Sequence, residues 1–531
     1  MPKALISVYE KPGVDIFARA LVEMGWEILS SGGTAKFLRE ADIPVCDVAE
    51  LVGGGAILGH RVVTLSREIH AGLLARYIPE DIKEMESLDL PFIDLVCVDM
   101  YPLEDEITNP DSTPVSVLEK TDIGGPGMLR SAAKGRRIVI CDPSDRQSVI
   151  DWLKAGKPDE DSFVTALAAK AEGVVAEYAL ASARYTSDGK IDGAVGTQAA
   201  ECRYGENAWQ VPARLFTTGT DDPLSLDKFQ LIAGAPPSYN NYCDIDRLLQ
   251  TISHIAAGLD VNGLSKECSM LAVGCKHGNP CGASIMNNPE LAVTMMLEGD
   301  LRAIMGGLVM LNFPVDEGIA DLLLTHAMDG GKRRLLDGVI APSFEDGAVE
   351  MLRRKGDKCR FLANPALLDL DRNSLDTAQR FRYVRGGFLG QPNYTYVMTL
   401  PEEAMDESVE TRSDLCLAWA VGATSNSNTI TLVKDRMLIG NGVGQQDRVG
   451  GCKLAIMRAR DAGHDPWGSV AYSDSFFPFA DGPEALIAPG VRAVLATSGS
   501  VNDDIVRARF ERAGVAFYTV PDAEGRGFFG H

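Results

Sequence analysis

Residues 4–34 read ALISVYEKPGVDIFARALVEMGWEILSSGGT, and this stretch decides the fold class. The apolar run 4–8 is typical of a buried strand, the apolar spacing of 14–24 predicts a helix, and 26–29 predict a second strand before a glycine turn. A second helix is predicted over 35–41. Because strands and helices alternate at this pitch, we expect a parallel sheet with helices on both faces and ligands at the carboxyl ends of its strands.

The alternation of strands and helices also divides the chain into regions. Runs at 95–98 and 138–140 continue the first region, and the small, polar stretch 186–200 predicts a linker. A second region starts near Cys202, and the pattern restarts near Asp414, so we expect two further α/β subdomains in series. The predicted elements there are strands at 270–273, 307–311 and 339–341, then a helix at 415–420, a strand at 429–433 and a glycine turn at 440–444.

Composition limits the function classes. The chain of 531 residues carries 51 basic and 74 acidic side chains, a net charge of −23, which repels nucleic-acid phosphates but still allows a local basic pocket for a small anion. Eleven scattered cysteines without a CxxC pair are typical of reduced thiols in the cytoplasm. No signal peptide and no apolar run of about 18 residues is present. We therefore expect a cytoplasmic protein with neither a nucleic-acid nor a membrane partner.

The turn Ser31-Gly32-Gly33-Thr34 is the first candidate site, since it follows a predicted strand and precedes a predicted helix. Backbone N–H groups of glycines approach an anion closely, Ser31 and Thr34 add hydroxyls, and the helix N-terminus adds partial positive charge. The alternative is an ordinary strand–helix turn in which a hydroxyl residue caps the helix.

A second candidate combines Tyr101, which follows the strand 95–98, with Asp122 before a glycine turn and Lys134 just beyond it. A phenol, a carboxylate and an amine at strand ends are able to relay protons. Three ordinary surface residues are the alternative.

The third candidate is Lys276-His277, directly after a predicted strand. A histidine beside an ammonium group tends to stay neutral and so suits a general base; a histidine satisfied within a turn is the alternative. The neighbouring Pro280-Cys281 resembles half of a zinc signature, but Ser284 stands where the second cysteine is needed. The seven histidines also form no HxH, HxxxH or HExxH pattern, so we predict no metal site.

A fourth group lies toward the C-terminus and contains Asn428, Arg448, Asp474 and the run FFPF at 476–479. An aromatic wall beside a carboxylate suits a planar heterocycle that bears amino groups. The alternative is that FFPF belongs to the core.

Taken in chain order, the motifs SGGTAK, TDIGGPGMLRSAAK, RYGEN, KHGNPCGA, VRGG, GQQDR and SDSFFPF resemble the bifunctional family of 5-aminoimidazole-4-carboxamide ribonucleotide (AICAR) transformylase/IMP cyclohydrolase. The resemblance runs from about residue 4 to the end of the chain. It implies an α/β fold with a methylglyoxal-synthase-like cyclohydrolase domain at 1–190 and two cytidine-deaminase-like transformylase subdomains without zinc, at 200–385 and 386–531.

The resemblance also implies the chemistry: transfer of a formyl group from 10-formyltetrahydrofolate to AICAR, then ring closure to IMP. It implies His277 as general base beside Lys276 for formyl transfer, and Tyr101, Asp122 and Lys134 as catalytic residues for ring closure. The implied binding residues are Lys11, Ser31, Gly32, Gly33 and Thr34 for phosphate, Arg203, Tyr204, Asn241, Asn428 and Arg448 for substrate, and Asp474 for folate. Family members are homodimers with transformylase sites at the subunit interface, and some bind potassium.

The chain departs from the family pattern at several positions. Val63 replaces a lysine expected to assist ring closure, with Arg67 as a conceivable substitute in the same loop, and Trp209 replaces a histidine on the substrate side. The stretches 303–307 and 422–426 and the tail 526–531 also differ. Two alternatives therefore stay open: a formyltransferase with an inactive cyclohydrolase domain, and a non-catalytic paralogue that binds AICAR.

Overall fold

The computed structural model describes residues 1–58 and 61–530. The chain forms two compact units, with the boundary between Thr197 and Gln198, inside the polar stretch 186–200. Each unit has its own sheet and its own hydrophobic core. None of the helices in the described ranges carries an apolar stretch long enough to cross a bilayer.

The first unit is a parallel sheet covered by helices, as predicted. Its strands are β1 Lys3–Ser7, β2 Glu27–Ser30, β3 Cys46–Asp47, β4 Leu95–Val98 and β5 Ile138–Ile140. Its helices are α1 Val14–Glu23, α2 Gly32–Glu40, α3 Val48–Leu51, α4 Arg67–Leu74, α5 Pro79–Ser87, α6 Leu103–Thr108, α7 Pro114–Lys120, α8 Gly124–Lys134, α9 Asp145–Lys154 and α10 Glu160–Thr186. The helix predicted to begin at residue 35 begins at Gly32, because Ser31 has the extended backbone of an N-cap.

The strand order β3-β2-β1-β4-β5 determines where a ligand can bind in this unit. The connections reverse direction between β1 and β4, so the helices that follow these two strands leave a crevice at their carboxyl ends. The residues just after β1 and β4 therefore occupy the expected binding position.

The second unit is built on an 11-stranded mixed sheet with the order β20-β19-β18-β16-β17-β10-β9-β11-β12-β13-β8. The strands from β6 onward, inside and outside this sheet, are β6 Thr197–Cys202, β7 Ala213–Thr217, β8 Gln230–Ala233, β9 Met270–Lys276, β10 Asn279–Met286, β11 Leu308–Leu311, β12 Gly338–Ala341, β13 Arg360–Ala363, β14 Gln379–Val384, β15 Gly387–Pro392, β16 Ile430–Lys434, β17 Met437–Gly442, β18 Val470–Ser473, β19 Ala493–Ser498 and β20 Ala516–Pro521. The pairs β6–β7 and β14–β15 form separate two-stranded sheets.

The helices of the second unit lie between these strands. They are α11 Tyr239–Val261, α12 Pro289–Gly299, α13 Glu317–Thr325, α14 Asp346–Leu352, α15 Val409–Ala423, α16 Arg448–Asp461, α17 Asp481–Ile487, α18 Asp503–Arg512 and α19 Asp522–Gly525. Short 3₁₀ helices occur at Leu226–Lys228, Asp329–Gly331, Pro365–Asp369 and Glu402–Ala404.

The glycine turn predicted at 440–444 is wrong in its first half, because Gly440 and Gly442 belong to β17. A Cβ on Gly440 would stand 2.4 Å from the Ala455 carbonyl oxygen, and one on Gly442 would stand 2.3 Å from that of Gly451. The two glycines therefore allow α16 to lie directly on the strand instead of forming a turn.

The second unit contains an internal repeat. The series α11-β9-β10-α12-β11-α13-β12-α14-β13 has the same order as α15-β16-β17-α16-β18-α17-β19-α18-β20. In each series a hairpin is followed by three mutually parallel strands, and β10 pairs with its counterpart β17 in the antiparallel sense. The two predicted subdomains thus share one continuous sheet.

One hydrogen bond to a buried carboxylate occurs in both repeats. Asp244 and Asp414 are each the sixth residue of their helix, α11 or α15. Asp244 Oδ1 accepts the Gly278 N–H at 2.6 Å in the β9–β10 turn, and Asp414 Oδ1 accepts the Arg436 N–H at 2.6 Å in the β16–β17 turn. A buried carboxylate therefore fixes the hairpin turn of each repeat.

Candidate active sites

A pair of tyrosines marks the crevice of the first unit. Tyr9 follows β1 and Tyr101 follows β4, and their rings meet edge to face with centroids 5.4 Å apart. Both rings are partly exposed, at 41% and 44%. Asp99 accepts the Tyr9 N–H, and Lys120 Nζ lies 3.3 Å from the Tyr9 hydroxyl. Two phenols therefore face the solvent at the position where a ligand is expected.

Asp122 lies beside this pair. Its Oδ1 accepts the Gly125 N–H at 2.9 Å, and its carboxyl group also interacts with the Tyr101 N–H. Burial raises the pKa of Asp122, and these backbone hydrogen bonds oppose the increase. A carboxylate with increased proton affinity beside a phenol is suited to general acid–base chemistry.

The first turn of α2, where an anion cradle is predicted, is open. Ser31 makes no side-chain cap to the helix, and nothing lies within 4 Å of a Cβ built on Gly32 or Gly33. Lys11 Nζ is close by, donating to the Tyr9 carbonyl oxygen at 3.0 Å, and burial lowers the pKa of Lys11. The Thr34 hydroxyl instead exchanges hydrogen bonds with the Val8 backbone, so it joins α2 to β1.

The structure does not bring Lys134 to Tyr101 and Asp122. Lys134 is the exposed last residue of α8, whereas Asp122 precedes the first, and the rise of the helix separates the two ends by about 15 Å. Val63 packs against the apolar core of the unit. Arg67, the conceivable substitute, is 74% exposed and pairs with Glu68 at 3.4 Å.

In the second unit, His277 occupies the two-residue turn between β9 and β10. His277 and Gly278 have φ of 54° and 70°, as in a type I′ turn, and Lys276 pairs with Asn279 across it. Buried Asp244 accepts the Gly278 N–H, and burial raises the pKa of that carboxyl group. The imidazole is therefore carried on a short, fixed turn at the end of a strand.

Lys276 is the last residue of β9. Its Nζ donates to the Met305 carbonyl oxygen at 2.7 Å. The ammonium group is thereby directed toward the stretch 303–307, which departs from the family pattern. Lys276 and His277 are consecutive, so the cation and the imidazole are attached to the same hairpin.

The N-terminus of α11 gathers another set of predicted residues. The Tyr239 N–H donates to the Tyr204 carbonyl oxygen at 3.2 Å, which attaches the loop of Arg203 and Tyr204 to the helix. Asn241 forms a capping box with Ser238 and uses its Oδ1 there. The structure thus brings the Arg203–Tyr204 loop, Asn241 and the His277 turn together along one helix.

A bridge connects the His277 turn to the second repeat. Asn279 donates to the His277 carbonyl oxygen at 3.3 Å and accepts the Asn426 N–H at 3.3 Å. Two residues further, Asn428 Nδ2 donates to the Gln445 carbonyl oxygen at 2.9 Å. Loop 425–428 therefore carries Asn428 on the side of the sheet where His277 lies.

The C-terminal tail closes over this loop through a buried arginine. Arg247 on α11 donates to the Phe529 carbonyl oxygen at 2.7 Å and to Asn426 Oδ1 at 2.9 Å. Arg380 covers the other side, with its Cζ 3.6 Å from the centroid of the Phe529 ring. Desolvation lowers the pKa of Arg247 to about 10, so the guanidinium remains charged at neutral pH.

Asp474 and Arg448 lie beneath the loop. They form an ion pair in which Asp474 is completely buried and Arg448 is 11% exposed. Asp474 Oδ2 also accepts the Thr429 N–H at 3.1 Å, just after Asn428. Here the pair supports the loop, and the roles of both residues in ligand binding stay predictions. Phe477 of the FFPF run is buried in the core against Phe510.

Comparison with known proteins shows the family of the chain. The model of the AICARFT/IMPCHase bienzyme family matches residues 132–458, and the model of the MGS-like domain matches residues 13–127. The chain belongs to the AICARFT/IMPCHase bienzyme family. The resemblance, the fold class and the predicted enzyme function in purine biosynthesis are thereby confirmed.

Relatives of the AICARFT/IMPCHase family match over nearly the whole chain. The bifunctional purine biosynthesis protein PurH of Macrococcus caseolyticus is 36% identical over 517 residues, which is 95% of each chain. PurH of Chloroflexus aurantiacus is 36% identical over 524 residues, covering 97% of this chain and 96% of its own. The solved structure of ForH is 32% identical and covers 36% of this chain and 100% of its own, at a TM-score of 0.33.

Several site residues of this AICARFT/IMPCHase member escaped sequence reasoning. Asp244, Asn279 and Arg247 act through partners that are 34 to 282 residues distant in the chain. The sequence around Asp244 is mixed polar and apolar, so it carries no signal that singles this residue out. Trp209, the substitute for a family histidine, is 78% exposed.

Proposed function

We propose that this chain transfers a formyl group from 10-formyltetrahydrofolate to AICAR in its second unit and closes the product to IMP in its first. The main support is the hairpin that carries Lys276 and His277, whose turn is held by the hydrogen bond from the Gly278 N–H to buried Asp244 Oδ1 at 2.6 Å. The cluster of Tyr9, Tyr101 and Asp122 at the strand ends of the first unit supports the ring-closing half.

For formyl transfer, the weakly nucleophilic amino nitrogen of AICAR must lose a proton as it attacks the formyl carbon. We assign His277 as the base that accepts this proton and Lys276 as the cation beside the oxyanion that forms. Collapse of the tetrahedral intermediate breaks the bond from carbon to the folate nitrogen. That nitrogen takes up a proton, and tetrahydrofolate leaves.

For nucleotide binding, we assign Arg203 and Tyr204 to AICAR, and Asn241 and Asn428 to its carboxamide and to the formyl group. The capping box uses Asn241 Oδ1, so its amide nitrogen is the part suited to donate. Arg448 and Asp474 would act beneath Asn428, where their ion pair and the Thr429 hydrogen bond support the loop.

For ring closure, the carboxamide nitrogen loses one proton as it bonds to the formyl carbon, and the carbonyl π pair moves onto oxygen, which takes up a proton. The resulting hydroxyl group then leaves as water, together with the proton of the former formamido nitrogen. We assign Asp122 and Tyr101 to these proton movements. The open first turn of α2, with Ser31, Gly32, Gly33 and Lys11, would hold the phosphate.

The proposal includes a cytoplasmic homodimer, as the resemblance implies. Potassium binding and a role for Lys134 also stay predictions. Lys134 and Asp122 lie at opposite ends of α8, so Lys134 would have to act in ring closure without contacting Asp122 directly.

Two assays on the purified full-length protein test the proposal. In the first, AICAR and 10-formyltetrahydrofolate are mixed and tetrahydrofolate release is followed; in the second, formyl-AICAR is supplied and IMP is followed. His277→Ala should lower kcat of the first assay by about a hundredfold or more and leave AICAR binding and the second assay unchanged. His326→Ala, which removes a hydrogen bond to Glu298 in the same unit, is the matched control.

The two open alternatives give different results. A wild-type protein that transfers formyl without forming IMP would be a formyltransferase with an inactive first unit. One that binds AICAR but is silent in both assays would be a non-catalytic paralogue. Full formyl transfer by His277→Ala would remove His277 from the mechanism.

A further inference from the structure

The tyrosine pair of the first unit has a cation at its side that neither the motifs nor the resemblance assigns. Lys120, the last residue of α7, donates from Nζ to the Tyr9 hydroxyl at 3.3 Å. The same Nζ is 5.1 Å from the centroid of the Tyr9 ring, within range of a cation–π interaction. Tyr9 in turn contacts the ring of Tyr101. Lys120, Tyr9 and Tyr101 therefore form one continuous contact.

The position of Lys120 relative to Asp122 is fixed by a third tyrosine. The Tyr178 hydroxyl, on α10, donates to the Lys120 carbonyl oxygen at 3.2 Å and accepts the Asp122 N–H at 2.6 Å. One side chain thus holds the backbone on either side of Thr121. The cation and the carboxylate are attached to the same clamped segment.

The acidic neighbour of Lys120 is already paired. Glu119 accepts from Arg61 Nη2 at 2.5 Å and from Arg61 Nε at 3.2 Å. In this bidentate ion pair, Arg61 compensates the negative charge of Glu119. The charge of Lys120 is then available to the tyrosines.

Three other cations named for this unit, Lys11, Arg67 and Lys134, are less well placed. Val63 stands at the position of the expected lysine, Arg67 pairs with Glu68, and Lys134 ends α8. Lys11 Nζ donates to the backbone oxygens of Val8 and Tyr9, on the side of the anion cradle.

We infer that Lys120, acting through Tyr9 and beside Tyr101, supplies the positive charge for ring closure that Val63 lacks. This inference rests on the proposed ring-closing function. When the carboxamide nitrogen attacks the formyl carbon, negative charge collects on the formyl oxygen. A tyrosine hydroxyl polarised by Lys120 stabilises that charge better than an isolated phenol does. Lys120 is thus a positioning and polarising residue that acts through Tyr9.

The test compares four single variants and the double variant Lys120→Met/Tyr9→Phe of the full-length protein with formyl-AICAR as substrate. Lys120→Met should lower kcat for IMP formation by about thirtyfold to a hundredfold and change KM less than about threefold, since the charge matters most in the transition state. Lys120→Arg should recover most of the rate, because it restores the charge. Lys83→Met, an exposed lysine on α5, is the control and should match wild type.

Tyr9→Phe is the fourth variant and tests the path of action. It removes the hydroxyl that Lys120 contacts and keeps the ring. If Lys120 acts through this hydroxyl, the double variant should lose little more than Lys120→Met alone, so the two losses should not add. Formyl transfer by the other unit, measured on each sample, should stay at the wild-type rate and so reports intact protein.

The outcomes separate this inference from the proposed function. If wild type forms IMP and Lys120→Met does so within about threefold of it, the role of Lys120 is overturned and the proposed function stands. Additive losses in the double variant would overturn the path through Tyr9. A wild-type protein that transfers formyl but forms no IMP would overturn both the ring-closing proposal and the role of Lys120.

Discussion

At the scale of single residues, the turn assigned to formyl transfer is held by a carboxylate that has no part in the proposed proton transfer. Asp244 lies on α11 and reaches the turn through its hydrogen bond to the Gly278 N–H at 2.6 Å, a backbone hydrogen bond to His277 and a longer contact from Cys275 Sγ at 3.6 Å. Without that acceptor, the half-buried Gly278 N–H would lose its partner and the turn that carries His277 would be less firmly held.

We expect Asp244→Ala to lower kcat for formyl transfer by about tenfold to a hundredfold, because small displacements of a base are costly. Asp244→Asn keeps an acceptor oxygen and should remain within about fivefold of wild type. The measurement is tetrahydrofolate release, with IMP formation from formyl-AICAR as a check on the same sample.

The internal repeat provides a matched control for this prediction. Asp414→Ala removes the equivalent hydrogen bond at a turn that carries Asp435 and Arg436 instead of a histidine. It should leave kcat for formyl transfer within about threefold. Equal losses in Asp244→Ala and Asp414→Ala would mean that both act through stability alone.

At this scale some site residues are predictable from the sequence and others are not. His277 and Lys276 were predicted because they are adjacent to each other and to a strand, so their relation needs no tertiary contact. Lys134 was grouped with Asp122 because both border the same glycine turn, yet the helix that begins there carries Lys134 away by its own length. The prediction for the Thr34 hydroxyl missed its use by the Val8 backbone.

At the scale of elements, Asp414 joins α15 to the β16–β17 turn and to Arg492 at the start of β19. It accepts from the Arg436 N–H at 2.6 Å and from Arg492 Nη2 at 3.1 Å, with 1% of its side chain exposed. Burial raises the pKa of Asp414 to about 6 despite these donors, and nearby Asp435 adds to the increase.

This pKa predicts a pH dependence of stability. Between about pH 4 and pH 6 the native state holds a proton on Asp414 that the unfolded state has released, so the contribution of this group to stability falls as pH rises through that window. Relative to wild type, Asp414→Asn should gain up to about 3 kcal/mol in free energy of unfolding between pH 4 and pH 7. Urea unfolding at both pH values measures this change, and a constant difference between variant and wild type would contradict it.

Elements were predicted well where periodicity alone defines them. The runs 270–273, 307–311 and 339–341 correspond to β9, β11 and β12, and the helix predicted at 415–420 lies within α15. The failures occur where packing outweighs local preference. Gly440 and Gly442 are typical of a turn when only the sequence is considered, but in the sheet they are the positions where α16 comes closest.

At the scale of the whole molecule, each of the two units has its own hydrophobic core. The buried cluster of the first unit is drawn from residues 4–175, and the three clusters of the second from residues 224–520. Because a domain with its own core is able to fold alone, we expect residues 1–197 to fold as a separate fragment with one cooperative unfolding transition. Circular dichroism during urea titration tests this expectation.

The two repeats of the second unit should behave differently. One of its core clusters contains residues of both repeats, and β10 pairs with β17 in the centre of the sheet. Fragments 198–392 and 393–531 should therefore remain unfolded when expressed apart. Cooperative unfolding of either fragment alone would contradict this reading.

The repeat itself was not visible in the sequence beyond two α/β subdomains in series. The counterpart turns read His277-Gly278 and Asp435-Arg436, so the residues differ where the backbone agrees. What the repeats share is a serine N-cap, Ser238 or Ser408, and an aspartate six residues later. A signal of two residues per repeat is too sparse to detect without the fold.

The pairing of β10 with β17 has an evolutionary consequence. Each strand meets its own counterpart in the antiparallel sense, which is the contact that two identical subunits make across a two-fold axis. A shorter ancestor with one repeat would have completed this sheet by dimerising. In this chain the second repeat occupies the place that the partner would take in such a dimer, so it serves as a covalently attached subunit.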